Sequence, residues 1–276
     1  MRRSNMGRLP LAFALLVLVV TASCAGKVLQ ASFQPEGLTE QQIKARQNRT
    51  WADQPWTGDD AAYRRIRAAI DKATGEGQTP ETLRVKYGLL AQQNPEDVQA
   101  QFAWAYAAWK TLTPESSSSR KDENLYGVPE ALAHVPFPRT YEFARMRFLV
   151  EYENPDFQGL GERLLARDPG DADVKYHLIG VYAGMLGHSF SPEIKQRALA
   201  RAQEMLRADP GRAAYYASLG GVYYSSWING YDVTDAQKAI AAYQQYLRLA
   251  PPTDSWRGRA QTLIGMIQKQ IKQQPG

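Results

Sequence analysis

Residues that commonly build catalytic and metal sites are scarce in this chain. It has one cysteine, Cys24, and three histidines, of which no two are four residues apart. Metal centres need clustered His, Cys, Asp or Glu ligands. The phosphate-cradling glycine loop, the dinucleotide fingerprint and the G-x-S-x-G nucleophile motif are also missing. We therefore predict no enzyme activity, no metal and no cofactor.

The chain also lacks stretches that alternate apolar and polar residues as a half-buried strand would. Apolar residues recur instead at helical spacing, so the fold class predicted is all-α. The net charge of +5 includes Arg2, Arg3 and Arg8, and without these three the 33 basic residues fall to 30 against 28 acidic ones. A nucleic-acid-binding domain usually carries a marked basic surplus. We therefore predict no nucleic-acid partner.

The N-terminus has the pattern of an export signal, predicted to span residues 1–23. The three arginines flank the apolar run 9–20, and the small residues 21–23 follow it. Cys24 comes next. The run Val20-Thr21-Ala22-Ser23-Cys24 resembles the lipobox of bacterial lipoproteins. This resemblance implies cleavage before Cys24, acylation of its thiol with a fatty acid such as palmitate, and attachment to a membrane of the bacterial cell envelope.

Two other outcomes remain open for this segment. Cleavage after Ala25 would release a soluble exported protein, and an uncleaved segment would stay as an anchor. The apolar run is shorter than the roughly 20 residues of a spanning helix. An exported chain with one cysteine cannot form an internal disulfide, which favours acylation of Cys24. Residues 24–56 are then expected to be a tether with a short helix near 38–42, where a capping-box pattern occurs.

Two stretches of the chain repeat each other at an offset of 41 residues. Asp168-Pro169-Gly170 recurs as Asp209-Pro210-Gly211, and the best copies span 170–210 and 211–251. The other matching positions are Leu178, Gly180, Val181 and Tyr182 with Leu219, Gly221, Val222 and Tyr223. Self-similarity at this period is typical of stacked helical repeats.

The pattern resembles the tetratricopeptide repeat, a helix-turn-helix unit. The resemblance is carried by Leu219-Gly220, Tyr223, Ala239, Tyr243 and Pro251, and in the earlier copy by Leu178, Tyr182, Ala198 and Pro210, where Ile179 and Ala202 depart from it. It implies a right-handed α-solenoid of about five units within residues 57–272, ending in a C-terminal capping helix. Residues 113–137, rich in serine and proline, are expected to form an irregular insertion.

The period exceeds the usual one of about 34 residues by roughly seven. We expect these extra residues in matching loops at 184–190 and 225–231, on one edge of the solenoid. The resemblance also implies that the first helix of each unit lines a groove. On these two grounds the partner-binding candidates are Tyr176, His177, His188, Tyr224 and Trp227.

The function expected is therefore that of a scaffold in the bacterial cell envelope. It would be held to the membrane by the lipid on Cys24 and would bind a protein or peptide partner in its groove. The alternative is a ligand-binding component of an uptake or sensing system. In that case a small molecule or glycan would lie between the repeats and the 113–137 insertion.

Overall fold

The computed structural model describes residues 52–112, 123–151 and 157–273. The signal, Cys24 and most of the tether lie outside these ranges. Within them the chain is helical, and no strand occurs. The helices are α1 (Ala61–Gly75), α2 (Pro80–Gln93), α3 (Val98–Lys110), α4 (Val128–His134), α5 (Tyr141–Val150), α6 (Gln158–Arg167), α7 (Ala172–His188), α8 (Pro192–Ala208), α9 (Ala213–Gly230), α10 (Val233–Leu249) and α11 (Arg257–Gln273). The all-α prediction is confirmed, and none of the described helices is long and apolar enough to cross a bilayer.

Several helices begin where the sequence supplies a capping side chain followed by proline. The Thr79 hydroxyl accepts the Thr82 N–H at 3.1 Å, and Pro80 occupies the first helical position of α2. Ser191 accepts from the Ile194 N–H in the same way at the start of α8. Proline is tolerated at this position because its missing N–H would have no partner inside the helix. These two helix starts therefore follow from the local sequence.

The 41-residue sequence repeat corresponds to two successive helix pairs. α7 and α9 begin at residues 172 and 213, and α8 and α10 begin at residues 192 and 233. Each helix packs against its partner in the pair, and α9 also packs against both α7 and α8. The two stretches of repeated sequence therefore form the same element twice and stack on each other.

The same packing order extends toward the N-terminus. Helices α3, α5, α7 and α9, which we name the first row, contact one another in series. Their successors α4, α6, α8 and α10 form the second row, and each packs on the first-row helix before it. α11 packs on α10 through the buried Ala260 and Ile267, as expected of a helix that ends the series.

The prediction that residues 113–137 form an irregular insertion is wrong in part, because residues 128–134 form the helix α4. Gly127 has φ 75°, a left-handed conformation that suits glycine, and Pro129 lies in the first turn of the helix. Val128 and Leu132 are fully buried. The prolines of this stretch therefore mark the ends of a short second-row helix, while residues 113–122 lie outside the described ranges.

The loops expected at 184–190 and 225–231 are also wrong for most of their length. α7 continues to His188 and α9 to Gly230. Leu186 follows Tyr182 by four residues, and Trp227 follows Tyr223 by four, so each prolongs the apolar stripe of its helix. Both side chains are buried. The extra residues therefore lengthen the first helix of each pair.

Candidate functional site

The structure divides the five predicted partner-binding residues among three places. Tyr176 and His177 lie half-buried on α7, and His188 is exposed at the end of that helix. Tyr224 and Trp227 lie on α9. The residues therefore do not form one site.

Trp227 belongs to the core and offers almost no surface to a partner. It is 3% exposed and packs in a cluster with Ala236, Ala239, Tyr243 and Ile267. Tyr224 packs against the same cluster, with its ring centroid 6.2 Å from that of Trp227. The sequence placed Trp227 in a loop, whereas the extended helix turns its side chain toward α10 and α11.

Tyr176 and His177 join an aromatic group that crosses from α7 to α9. Their rings are 5.7 Å apart and nearly perpendicular, and the ring of Tyr176 lies 6.1 Å from that of Tyr215. The guanidinium of Arg212 lies 5.1 Å from the centroid of Tyr215 and donates to its hydroxyl at 3.2 Å. Edge-on aromatic contacts and cation–π contacts of this kind are favourable at such distances.

Arg145 of α5 connects this group to the preceding helices. Its guanidinium donates to Asp173 at 2.8 Å, at the start of α7, and lies 5.8 Å from the ring centroid of Trp109 on α3. Trp109, Arg145, Asp173, Tyr176 and Tyr215 thus give side-chain links along all four first-row helices. We name these five residues the interhelix row.

A buried ion pair supports the centre of the row. Arg145 donates two hydrogen bonds to Asp171, which also caps α7 by accepting the N–H groups of Asp173 and Val174. Burial opposes ionisation and raises the pKa of the Asp171 carboxyl. The Arg145 guanidinium and the two N–H groups outweigh burial, so the net pKa is below its ordinary value. Asp171 therefore stays ionised and holds α5 against α7.

Further paired charges lie beside the row on α1, α3 and α5. Arg67 donates to Glu142 at 2.6 Å, and Asp71 accepts from the Tyr106 hydroxyl at 2.9 Å and from Lys110 at 3.0 Å. Burial, followed by the Asp71 contact, raises the pKa of Tyr106 to about 12, so this tyrosine is protonated at neutral pH. Both signs of charge are present, which suits polar contacts around an aromatic centre.

An open depression lies elsewhere, along α8. Its volume is about 470 Å³, and its lining includes Phe190, Lys195, Leu199 and Gln203. The ammonium of Lys195 is bonded at 2.5 Å to the buried Asp235. Among the described residues, no three His, Cys, Asp or Glu side chains are grouped so that they could hold a metal ion.

Sequence reasoning missed most of the interhelix row. Tyr215 had the spacing of an apolar stripe residue, and Trp109 lay near the end of an Ala-rich helix. The available signal was Arg145, a charged residue in the middle of a helix whose ten residues are all buried. A charge in such a place needs a partner, but the sequence alone could not show that this partner is the cap of α7.

The comparisons with known proteins do not assign the chain to a family. No protein-family model matches it, and searches of the curated proteins and of the solved structures found no significant match.

Proposed function

We propose that this protein is a helical-repeat scaffold that binds a protein or peptide partner along the interhelix row. The observation that carries the proposal is a set of contacts between consecutive first-row helices. Arg145 of α5 contacts Trp109 of α3 and Asp173 of α7, and Tyr176 of α7 contacts Tyr215 of α9. Stacked repeats use one helix of each unit as an extended binding surface. Arg145 and Tyr215 are buried, so a partner lying along the first row would contact the half-buried Trp109, Asp173 and Tyr176, which the two buried residues hold in place.

The order of the helices supports a repeat of the tetratricopeptide type. The pairs α3/α4, α5/α6, α7/α8 and α9/α10 follow the same packing rule, and α1 and α2 precede them. Helix α2 packs on α3, and α1 packs on α3 and α5. If these two helices count as a further unit at the start of the series, the proposed array has about five units and α11 as its closing helix. The right-handed solenoid implied by the sequence resemblance belongs to this proposal.

Half-buried aromatic residues favour a macromolecular partner for this surface. Tyrosine supplies a large contact area with few rotatable bonds, and such residues often dominate the binding energy of protein interfaces. Tyr176 is half-buried, and its ring is already held by Tyr215 and His177. Little side-chain freedom would be lost on binding.

The proposed cellular place is the bacterial cell envelope. Cys24 would carry the lipid, and residues 25–51 would separate it from the helices. These residues lie outside the described ranges, so this part of the proposal depends on the lipobox-like run Val20–Cys24 and on the single cysteine.

The experiment compares partner capture by the mature chain and by a Tyr176→Ala variant. Both would be cross-linked to envelope extract, purified through a tag and analysed for bound proteins. Truncating an aromatic contact at the centre of an interface commonly costs 2 kcal/mol or more, so we expect about a tenfold or greater loss of the captured partner.

The matched control is Tyr231→Ala, since this tyrosine is 74% exposed and does not belong to the interhelix row. It should capture the partner as the unaltered chain does. Equal losses in the two variants, or co-purification of a small molecule in place of a protein, would contradict the proposal.

A further inference from the structure

The segment that precedes the helical array, residues 52–60, is bound by side chains of α5, α6 and the turn before α5. Arg163 donates one guanidinium N–H to the carbonyl of Ala52 and another to that of Gln54, the latter at 2.8 Å. Arg139 donates to the side-chain oxygen of Gln54 at 3.0 Å. We name residues 52–60 the strap. It contains no α-helix, so its carbonyl groups are available to these donors.

The aromatic residue of the strap lies in a cationic clamp. The rings of Trp56 and Tyr141 meet edge-on at 5.4 Å, and the guanidinium of Arg163 lies 4.8 Å from the centroid of Trp56. The guanidinium of Arg167 lies 5.9 Å from Trp56 and 4.9 Å from Tyr141. We name Tyr141, Arg163 and Arg167 the tryptophan clamp. Arginine over the face of tryptophan is the most favourable cation–π pairing.

The end of the strap is also held by hydrogen bonds, to the turn before α5 and to the first turn of α5. The Gly58 N–H donates to the carbonyl of Arg139 at 2.9 Å, and Asp60 accepts the N–H of Glu142 at 2.9 Å. A methyl group at position 58 would lie 2.6 Å from the carbonyl oxygen of Pro138. The backbone therefore approaches the turn before α5 more closely than any residue with a side chain could.

These contacts have the form of peptide recognition. Fixed donors bind main-chain carbonyls, and a shaped site holds one aromatic side chain, which is how many proteins bind extended segments. Yet the fit leaves donors unused. Neither the indole N–H of Trp56 nor the hydroxyl of Tyr141 has a hydrogen-bond partner among the described residues, although both atoms are buried. The Tyr141 hydroxyl belongs to the clamp and remains there when the strap leaves. A buried hydroxyl is costly when unpaired, so a peptide that offered it an acceptor would bind better than the strap does.

We propose that the tryptophan clamp is a second binding site, for an extended tryptophan-containing peptide of a partner protein, and that the strap occupies it in cis. This site lies on α5 and α6 and is separate from the interhelix row. The strap acts as an internal competitor, because its covalent attachment gives it an effective concentration in the millimolar range. A partner peptide must displace Trp56 before it binds.

The test measures binding of a fluorescein-labelled peptide with the sequence of residues 52–60 to the purified chain and to its Trp56→Ala variant, by fluorescence polarisation. Removing Trp56 weakens the strap and opens the clamp. For a peptide that binds at about 10 μM, a millimolar internal competitor weakens apparent binding about 100-fold. We therefore expect the variant to bind the peptide up to about 100-fold more tightly than the unaltered chain.

Two further variants identify the surface that the peptide uses. Adding Arg163→Ala to the Trp56→Ala chain should abolish binding, whereas adding Arg201→Ala on α8 should leave it unchanged. A peptide in which alanine replaces the tryptophan should not bind. Failure of the Trp56→Ala chain to bind while it keeps its helical circular dichroism, or binding that survives Arg163→Ala, would overturn the proposal.

Hydrogen exchange provides a second measurement in case Trp56→Ala disrupts folding. In the chain with Arg163→Ala alone, the Gly58 amide, which donates to the carbonyl of Arg139, should exchange at least about tenfold faster while the amides of α7–α10 keep their rates, since a cis ligand opens locally. Faster exchange throughout the helices would show that the strap is an inseparable part of the fold, and would overturn the proposal.

Discussion

At the scale of single residues, the ion pair between Arg145 and Asp171 supports the centre of the interhelix row. Both side chains are more than nine-tenths buried, and the carboxylate also caps α7. A buried charge is stable only when its partner and its hydrogen bonds are in place. The pair therefore fixes the orientation of α5 relative to α7.

We predict that Asp171→Asn lowers the free energy of unfolding at pH 7 by about 3 kcal/mol, because Arg145 loses its buried counter-charge. The pKa of Asp171 is lower in the folded chain than in the unfolded one. Its stabilising contribution is therefore complete above about pH 4 and is lost as pH falls through the folded pKa. Urea unfolding between pH 7 and 2 should show a smaller acid-induced loss in Asp171→Asn than in the unaltered chain.

Asp173→Asn is the matched control, because Asp173 contacts the same guanidinium with a side chain that is 47% exposed. An exposed pair contributes little, so we expect a loss of at most about 1 kcal/mol. Identical acid profiles for the unaltered chain and Asp171→Asn would show that the buried pair does not control this pH dependence.

At the scale of helices, the sequence predicted the elements better than their ends. The starts of α2 and α8 follow from local signals, a capping hydroxyl and a proline. The ends of α7 and α9 were placed too early, because the seven extra residues of the period were assigned to loops although Leu186 and Trp227 continue the apolar stripes of their helices. α4 was missed because it is short and follows a serine- and proline-rich stretch, and it is held by the burial of Val128 and Leu132.

The sequence departs from the repeat pattern at Ile179 and Ala202. These positions are equivalent to two residues that contact each other in the next unit, Gly220 and Tyr243. Gly220 faces the ring of Tyr243 across the α9–α10 interface, where even a methyl group would not fit. The equivalent positions one period earlier are Ile179 and Ala202, both fully buried. The first pair of helices thus has a large residue on its first helix and a small one on its second, and the next pair has the reverse. The sequence showed each difference, but only the packing explains why they occur together.

We predict that Gly220→Ala destabilises the protein and that Gly221→Ala does not. A methyl group at Gly220 would lie 2.5 Å from Cδ1 of Tyr243, so the ring or the helix must shift, at a cost of about 1–3 kcal/mol. At Gly221 nothing lies within 4 Å, and alanine is favoured over glycine in a helix by about 0.5–1 kcal/mol. Thermal unfolding of the two variants should shift the midpoint in opposite directions. A stabilised Gly220→Ala chain would contradict the packing described for α9 and α10.

At the scale of the whole molecule, the described helices form a series in which most contacts join neighbours. The strap is an exception, since it joins residues far apart in sequence, with Arg163 bound to carbonyl groups about 110 positions earlier. It is also the place where the proposed tether would meet the helices. A pull on the tether would therefore reach α5 and α6 through Arg163 and the tryptophan clamp.

The strap would transmit such a pull only if the chain is anchored, and the prediction for anchoring concerns Cys24. We expect the unaltered protein in the membrane fraction of a bacterial host and Cys24→Ser in the soluble fraction, because acyl chains bind a bilayer by about 0.8 kcal/mol per buried CH₂ and serine would not be acylated. Helical circular dichroism should be the same for both, because the described helices do not include this residue. Membrane retention of Cys24→Ser would indicate that the apolar run 9–20 stays as an anchor. An unaltered protein found in the soluble fraction would instead indicate cleavage after Ala25, and the strap would then bear no load from a membrane.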